Sequence, residues 1–184
     1  TLEIDGGGPA GKLTATASPA GWVRAMAANP LAATPARTDG TLDVAGVVGG
    51  TGRLTLTRDP GVGEPYRGVV DLDSGDLARN IAVYLTESEQ SPAALILGVL
   101  VVPEGRVEYA GGMLVELLPG VSDREAATLT KSLRELGSRS ARIAAGDGPR
   151  EWLAKVVPDG CSVLEQVPAV FFCGCSVQRV EAAL

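Results

Sequence analysis

The sequence predicts an α+β fold, with antiparallel-rich sheets and one packed helix first, then a helical stretch and a cysteine segment. Segments of alternating hydrophobicity dominate residues 1–119, which indicates strands with one buried face. Helical patterns dominate residues 120–157, and all three cysteines follow residue 160. Because strands and helices are segregated along the chain, an alternating α/β fold is not expected.

Two neighbouring alternating segments predict an antiparallel hairpin over residues 53–72. Residues 53–57 alternate strictly between polar and apolar side chains, residues 67–72 are expected to be the return strand, and Asp59-Pro60-Gly61 between them is typical of a turn. Alternation places every second side chain on one buried face. The inward-facing residues of this hairpin are expected to be Leu54, Leu56, Val70 and Leu72.

The glycine-rich stretch at residues 6–11 is predicted to be a hairpin turn rather than a phosphate-binding loop. A phosphate loop needs consecutive free backbone N–H groups, and Pro9 removes one of them. The Gly-Lys-Ser/Thr signature is also absent, because Lys12 is followed by Leu13.

A single amphipathic helix is predicted after the first hairpin. Ser74 is a suitable N-cap, because its hydroxyl can accept a hydrogen bond from a free backbone N–H of the first turn. The carboxylates of Asp71, Asp73 and Asp76 favour the helix dipole, and the spacing of a calcium loop is absent. Capping is therefore preferred to a metal or acid-base cluster. The buried face is expected to carry Leu77, Ile81, Tyr84 and Leu85.

A second hairpin is predicted over residues 94–118. Residues 94–102 form a continuous apolar run rich in β-branched side chains, which is typical of a strand buried on both faces. Pro103-Glu104-Gly105 is expected to reverse the chain, and the return strand should reach Leu118. The further core residues expected from the helix and this hairpin are Ile81, Leu97, Val99 and Leu114.

Two short helices are predicted between residues 122 and 157. Ser122 to Glu125 has the pattern of a capping box, and Gly137 is expected to follow the end of the first helix. Pro149 suits the first position of the second helix. Isolated helices of this length are marginal in water, so they persist only by packing on another part of the protein. Their apolar stripes consist of Ala126, Leu129, Leu133 and Leu136, and of Trp152, Leu153, Val156 and Val157.

Charge and residue usage exclude several classes of function. A net charge of −6 argues against nucleic-acid binding. No apolar run reaches the ~20 residues of a membrane span. Histidine is absent, which excludes a Ser-His-Asp or Cys-His arrangement within the chain. No catalytic residue is assigned, and an enzyme is not expected.

Location and completeness are also suggested by the residue pattern. There is no signal peptide at the start, and three cysteines are an odd number, so a reducing cytoplasmic location is expected. The chain starts at Thr1, already inside an alternating segment, and its last residues end within a helical pattern. Both ends of the natural protein are therefore expected to lie outside this sequence.

The Cys173-Gly174-Cys175 segment is the strongest candidate site. Two thiols separated by one small residue can share a metal or form a small disulfide ring. Structural zinc takes four ligands, commonly thiolates, so the pair is either half of a zinc site or a bare dithiol. Cys161 lies alone in a turn and is assigned no role, because a lone cysteine is usually structural.

Four blocks of sequence resemble the redox-regulated heat shock protein 33 family, also called the 33 kDa chaperonin family. They are residues 57–70, residues 84–92 with their Ser-Glu-Gln-x-Pro element, residues 110–119, and residues 172–176 followed by Arg179. The resemblance covers nearly the whole chain. The family's first segment and its downstream Cys-x-x-Cys pair have no counterpart in these 184 residues.

The resemblance implies a core domain over 1–119, a redox-sensitive helical linker over 120–171, and the first part of a zinc domain over 172–184. It implies that Cys173 and Cys175 bind zinc together with two further cysteines outside this chain, and that oxidation converts them to a disulfide. It further implies an ATP-independent holdase that binds unfolded client proteins, and a homodimer on oxidation. Client contacts would come from the apolar faces of core and linker, with the linker residues being Leu129, Leu133, Leu136, Trp152, Leu153 and Val156.

Two other functions are compatible with a cysteine pair. A zinc-dependent interaction module or nucleic-acid-binding protein would use the metal structurally, although the acidic charge disfavours nucleic acid. A thiol oxidoreductase would need Cys-x-x-Cys in a thioredoxin-like alternation, and the sequence has neither.

Overall fold

The computed structural model describes residues 1–35, 37–38, 41–102, 104–137, 148–157 and 160–181. Pro103 of the expected turn and residues 182–184 of the predicted C-terminal helical pattern lie outside these ranges. The elements in chain order are β1 (Leu2–Asp5), β2 (Leu13–Ala17), β3 (Trp22–Ala27), α1 (Val44–Val48), β4 (Arg53–Arg58), β5 (Tyr66–Asp71), α2 (Leu77–Glu87), β6 (Ala93–Val101), β7 (Val107–Glu116), α3 (Asp123–Gly137), α4 (Pro149–Val156), β8 (Val170–Phe171) and α5 (Val177–Glu181).

Two sheets organise these elements, and they confirm the predicted α+β class. The larger sheet has six strands in the order β5-β4-β1-β2-β3-β8, and the smaller is the β6-β7 hairpin. Every pair is antiparallel except β3 with β8, which is parallel. The predicted hairpins over residues 53–72 and 94–118 are both present as β4-β5 and β6-β7.

The strand register collects small and aliphatic side chains on one face of the large sheet. Leu2 is opposite both Ala15 and Leu56, and Ala15 is also opposite Ala25. Because side chains alternate along each strand, every second residue of neighbouring strands shares this face. We call it the apolar face; it carries Leu2, Ile4, Leu13, Ala15, Ala17, Val23, Ala25, Ala27, Leu54, Leu56, Val70 and Phe171.

Helix α2 covers the β4-β1 half of the apolar face and forms the first core. Leu54 is fully buried, and the Tyr84 ring lies over Gly68 so closely that a Cβ at Gly68 would collide with its hydroxyl. Leu54 and Leu72 are buried as predicted, whereas Leu56, Val70 and Ile81 are half-buried and pack against the cluster. The fully buried members of the first core are Ile4, Val48, Leu54, Leu72, Tyr84 and Leu85.

The N-cap of α2 is Asp76 and not Ser74. The Asp76 carboxylate accepts the backbone N–H of Arg79 at 3.1 Å, and the helix begins at Leu77. Ser74 instead accepts the N–H of Asp76 in the preceding turn at 3.4 Å. Asp and Ser are comparable N-caps, so the sequence pattern does not decide between them. The geometry of the turn before α2 determines which residue caps the helix.

The glycine-rich stretch forms the predicted turn between β1 and β2, and it is held against α1. The N–H of Gly8 donates to the carbonyl of Val48 at 3.0 Å, and that of Ala10 to the carbonyl of Val47 at 3.1 Å. Thr51 donates to the carbonyl of Gly6 at 3.2 Å. The donors of Gly8 and Ala10 are thus already bound to protein carbonyls, which agrees with a turn rather than an anion site.

Helices α3 and α4 pack together on one face of the β6-β7 hairpin and form a second core. The capping box at the start of α3 is confirmed: Ser122 Oγ accepts the Glu125 N–H at 3.3 Å, and Glu125 Oε2 accepts the Ser122 N–H at 3.0 Å. Pro149 occupies the first turn of α4 after Gly148. Gly137 is the last residue of α3 rather than the residue after it. The buried members of the second core are Met113, Leu133, Leu136, Trp152 and Val156.

The opposite face of the β6-β7 hairpin is exposed, so the expected burial of Leu97, Val99 and Leu114 is wrong. These side chains are 46%, 44% and 48% exposed. A continuous apolar run predicts cover on both faces, but the second core packs only on the face that carries Met113 and Ile96. In the described part of the chain, no helix is long and apolar enough to cross a bilayer.

Candidate functional site

The cysteine segment is attached to the large sheet through β8. The N–H of Val170 donates to the carbonyl of Gly21 at 2.9 Å, and that of Phe172 to the carbonyl of Val23 at 3.1 Å. The rings of Phe172 and Trp22 are 4.4 Å apart between centroids. Gly21 has φ of 80°, and a Cβ there would collide with the carbonyl of Pro168. This glycine therefore permits β8 to lie against β3.

The two thiols of the candidate site are adjacent and exposed. The Sγ atoms of Cys173 and Cys175 are 2.8 Å apart. This separation lies between the ~2.05 Å of a disulfide and the roughly 3.8 Å of two thiolates on one tetrahedral zinc with bonds of ~2.3 Å. Both arrangements are within a small movement of the two side chains.

Arg24 from β3 adds a positive charge to this dithiol. Its Nη1 donates to Cys175 Sγ at 3.9 Å. A hydrogen bond with the Cys175 thiol lowers the pKa of Cys173, with smaller contributions from the Cys175 backbone and from Arg24. A lowered pKa increases the thiolate fraction near neutral pH, and the thiolate is the reactive form of cysteine.

The donor set of this chain supplies two thiolates to a metal. No group of three or more His, Cys, Asp or Glu side chains in the described ranges could hold an ion. Structural zinc takes four ligands, so Cys173 and Cys175 fit half of such a site. Cys161 is exposed and does not join them in any such group.

We expect Cys175→Ala to slow alkylation of Cys173 by iodoacetamide at pH 7, and Arg24→Gln to slow it less. Both changes remove an interaction that favours the Cys173 thiolate, so the pKa should rise and the thiolate fraction should fall. The measurement is the rate of Cys173 labelling against pH by mass spectrometry, with reductant and chelator present. Alkylation of Cys161 in the same samples is the internal control. Unchanged profiles in both variants would show that these contacts do not tune the thiol.

The carboxylates around the start of α2 are paired, as expected for structural residues. Asp73 binds Arg79 at 2.6 Å, which lowers the pKa of Asp73. Asp71 lies 3.4 Å from Arg53, and Asp76 caps the helix. These contacts support the capping interpretation over a metal cluster.

The expected client-contacting residues of the linker lie together in the second core. Leu133, Leu136, Trp152 and Val156 are at most 4% exposed, while Leu129 and Leu153 are partly buried against them. The structure thus brings all six together, facing the hairpin rather than solvent. A client could reach them only after α3 and α4 leave the β6-β7 hairpin.

The uncovered half of the apolar face is a surface that the sequence interpretation missed. Helix α2 leaves the β2-β3 end open, and shallow depressions of about 400 Å³ and about 480 Å³ lie along it. A larger groove of about 920 Å³ runs between this end of the sheet and the exposed face of β6-β7. The alternation of alanines over residues 13–17 and 22–27 was the available signal. The residues that line two or more of these depressions include Leu2, Ala15, Val23 and Ala25.

Three of the four resembling blocks meet around the C-terminal end of α2. Arg58 binds Glu89 at 2.7 Å, and the Ser91 hydroxyl donates to Glu116 Oε1 at 3.1 Å. Gln90 has φ of 55° in the turn between them. Burial, with the nearby charge of Glu89, raises the pKa of Tyr84 to about 12. Three of the shared motifs therefore form one contact region between the large sheet, α2 and β7.

Comparison with known proteins agrees with this arrangement. The family model described as Hsp33 protein matches residues 1–184. A 33 kDa chaperonin from Bacillus velezensis is 38% identical over 184 residues, 100% of this chain and 63% of that protein. One from Desulfotalea psychrophila is 39% identical over 189 residues, covering 62% of its length.

A solved structure has the same fold. The crystal structure of the 33 kDa chaperonin (heat shock protein 33 homolog) from Thermotoga maritima matches 99% of this chain and 62% of its own, with a TM-score of 0.87 at 30% identity. This chain therefore spans less than two thirds of the length of the relatives it matches. The family model nevertheless covers every residue, and three of the four quoted motifs meet in one contact region, so this chain belongs to the Hsp33 protein family.

Proposed function

We propose that this chain is the client-binding and switching part of a redox-regulated, ATP-independent holdase. The observation that carries the proposal is the position of the dithiol: Cys173 lies two residues after β8, the edge strand of a sheet whose apolar face is only half covered. Exposed apolar surface of this size is typical of a binding site for other polypeptides. The domain division follows the same scheme, with a core over 1–119, a linker over 120–171 and a switch segment from 172.

The redox step uses only the two thiols and a peroxide. The Cys173 thiolate attacks one peroxide oxygen; an S–O bond forms as the O–O bond breaks, and hydroxide leaves and is protonated to water. Cys175 thiolate then attacks the Cys173 sulfur, and the sulfenic oxygen leaves as a second water while the S–S bond forms. The two thiols lose two electrons and the peroxide gains them. The short Sγ–Sγ distance of 2.8 Å favours the second step.

Zinc fits the proposal as the ligand of the reduced pair. Cys173 and Cys175 would bind it with two thiolates from outside these residues, and the bound metal would contribute its binding free energy to the folded switch segment. Oxidation removes both thiolates from that donor set. A cytoplasmic location suits this chemistry, since thiols stay reduced there until stress, and a homodimer of the oxidised form belongs to the same proposal.

The signal would pass from the thiols to the client surface through weakly held elements. The β8 segment makes only two rungs with β3, and Phe171 is 72% exposed. Helices α3 and α4 have 15 and 8 residues and depend on the second core. Changing the geometry of residues 173–175 would therefore release covering segments at low cost while the first core remains folded.

The test is suppression of light scattering by a thermally unfolding client enzyme. We expect the chain to suppress aggregation without ATP, and the peroxide-treated form to do so at least about fivefold more effectively, since a shift of ~1 kcal/mol changes a population by that factor. The Cys173→Ser, Cys175→Ser variant should lose this oxidant response, whereas Cys161→Ser should keep it. A chain that protects no client in either redox state would end the holdase proposal.

A further inference from the structure

The parallel pairing of β8 with β3 resembles a peptide bound at a sheet edge. On the side of β3 that faces away from β2, its strand neighbour is β8. Of the six residues of β3, β8 pairs only with Trp22 and Val23. The other four residues of β3 have no strand neighbour there in the described part of the chain. An edge strand presents backbone donors and acceptors that template the addition of another strand.

The side chains of residues 170–172 occupy the two faces of this edge as those of a bound peptide would. Phe171 contributes to the depression beside Val23 and Leu56 on the apolar face. Phe172 stacks on Trp22 on the opposite face. The segment contains both phenylalanines of the chain, and Val170, Phe171 and Phe172 are 53%, 72% and 45% exposed. An apolar segment of this kind has the composition of a sequence normally buried in a folded protein.

From this geometry we propose that the β3 edge is a strand-acceptor site for extended apolar segments of unfolded polypeptides, with β8 as an internal occupant that competes with them. The inference rests on the proposed function and names the binding mode of the client. The added strand would run parallel to β3, with main-chain hydrogen bonds giving affinity and alternate side chains filling the apolar face. Release of β8, which is adjacent to Cys173, would free the site.

The donors that hold β8 indicate how to open the site. Val170 and Phe172 donate their N–H groups to β3, and the intervening N–H of Phe171 points away because backbone groups alternate along a strand. A variant of the chain with Val170→Pro and Phe172→Pro lacks both donors, so its residues 170–172 cannot pair with β3. The matched control is Phe171→Pro, which removes only the outward N–H. All three positions are exposed and lie outside the first core.

The experiment measures binding of a synthetic peptide, acetyl-Pro-Ala-Val-Phe-Phe-Ser-Gly-amide, through the fluorescence of Trp22. The double-proline variant should bind the peptide at least about tenfold more tightly than the parent or the Phe171→Pro control, because β8 no longer competes for the site. N-methylation of the second phenylalanine should weaken binding about tenfold, and N-methylation of the first should not. Equal affinities of the two methylated peptides for one protein, or of one peptide for the two proline variants, would overturn the proposal of a strand-acceptor site.

The same samples separate this inference from the holdase proposal. Client protection with no difference between the methylated peptides would leave the holdase intact and place its client site elsewhere than the β3 edge. Absence of client protection in every redox state, with selective peptide binding retained, would leave a strand-acceptor site that does not serve a holdase.

Discussion

Replacing Gly49 by alanine is expected to lower the free energy of unfolding by at least ~3 kcal/mol. Gly49 ends α1 with φ of 80° and ψ of 173°, a region that is essentially restricted to glycine and costs other residues of order 1–3 kcal/mol. A Cβ there would also collide with the carbonyl of Gly6 and the backbone N of Gly8. Those atoms belong to the turn between β1 and β2 that is held against α1, so relief of the collision would disrupt that turn.

Gly61→Ala is the matched control for this prediction. Gly61 also has a positive φ, 74°, but a Cβ added to it would meet nothing within 4 Å. The Gly61 variant should lose only the backbone cost of a left-handed alanine, about 1–2 kcal/mol of the free energy of unfolding. Urea unfolding followed by circular dichroism measures both variants. Equal losses would mean that the contact between the glycine-rich turn and α1 contributes little to the fold.

The combined substitution of Leu133→Ser and Trp152→Ser is expected to detach α3 and α4 and to raise client capture by the reduced chain. Each side chain is at most 4% exposed, and truncating such residues costs about 2–5 kcal/mol. Isolated helices of 15 and 8 residues are at best marginally stable in water. The two losses together are therefore expected to detach both helices. The β6-β7 face carrying Met113 would then be open. The first core shares no buried residue with the second, so it should stay folded.

Hydrogen exchange and client light scattering measure this release. Amides of α3 and α4 should lose protection while those of β4 and β5 keep it, and protection of the client should increase at least about fivefold. Leu118→Ser, at a side chain 75% exposed beyond β7, is the control and should change neither. If the double variant instead loses client binding while the first core is intact, the two helices are themselves part of the client site.

Local patterns predicted much of this fold, because their causes lie within a few residues. The β4-β5 hairpin follows from the strict alternation of residues 53–57 and the turn after them, and the capping box of α3 is completed by Ser122 and Glu125, three residues apart. The burial of Leu54 follows from the same alternation. Such features need no knowledge of distant neighbours.

The parts that could not be predicted depend on distant partners. Leu97 is 46% exposed because α3 and α4 pack on the other face of the two-stranded sheet, and an apolar run cannot report which of its faces is covered. The contact between Arg24 and Cys175 joins residues 151 positions apart. Likewise, the pairing of β8 with β3 has two rungs, too few to leave a periodic pattern.

The alanines of the open apolar face bear on how selective its contacts would be. Ala15, Ala17, Ala25 and Ala27 give the β2-β3 end a shallow floor without deep side-chain pockets. Discrimination between ligands requires differences in fit or unpaired polar groups, and a flat floor of methyl groups imposes neither. The affinity of such a surface for a polypeptide segment would depend mainly on the apolar area of the segment and on the absence of proline from it. Many unrelated polypeptides would therefore bind with similar, modest affinity.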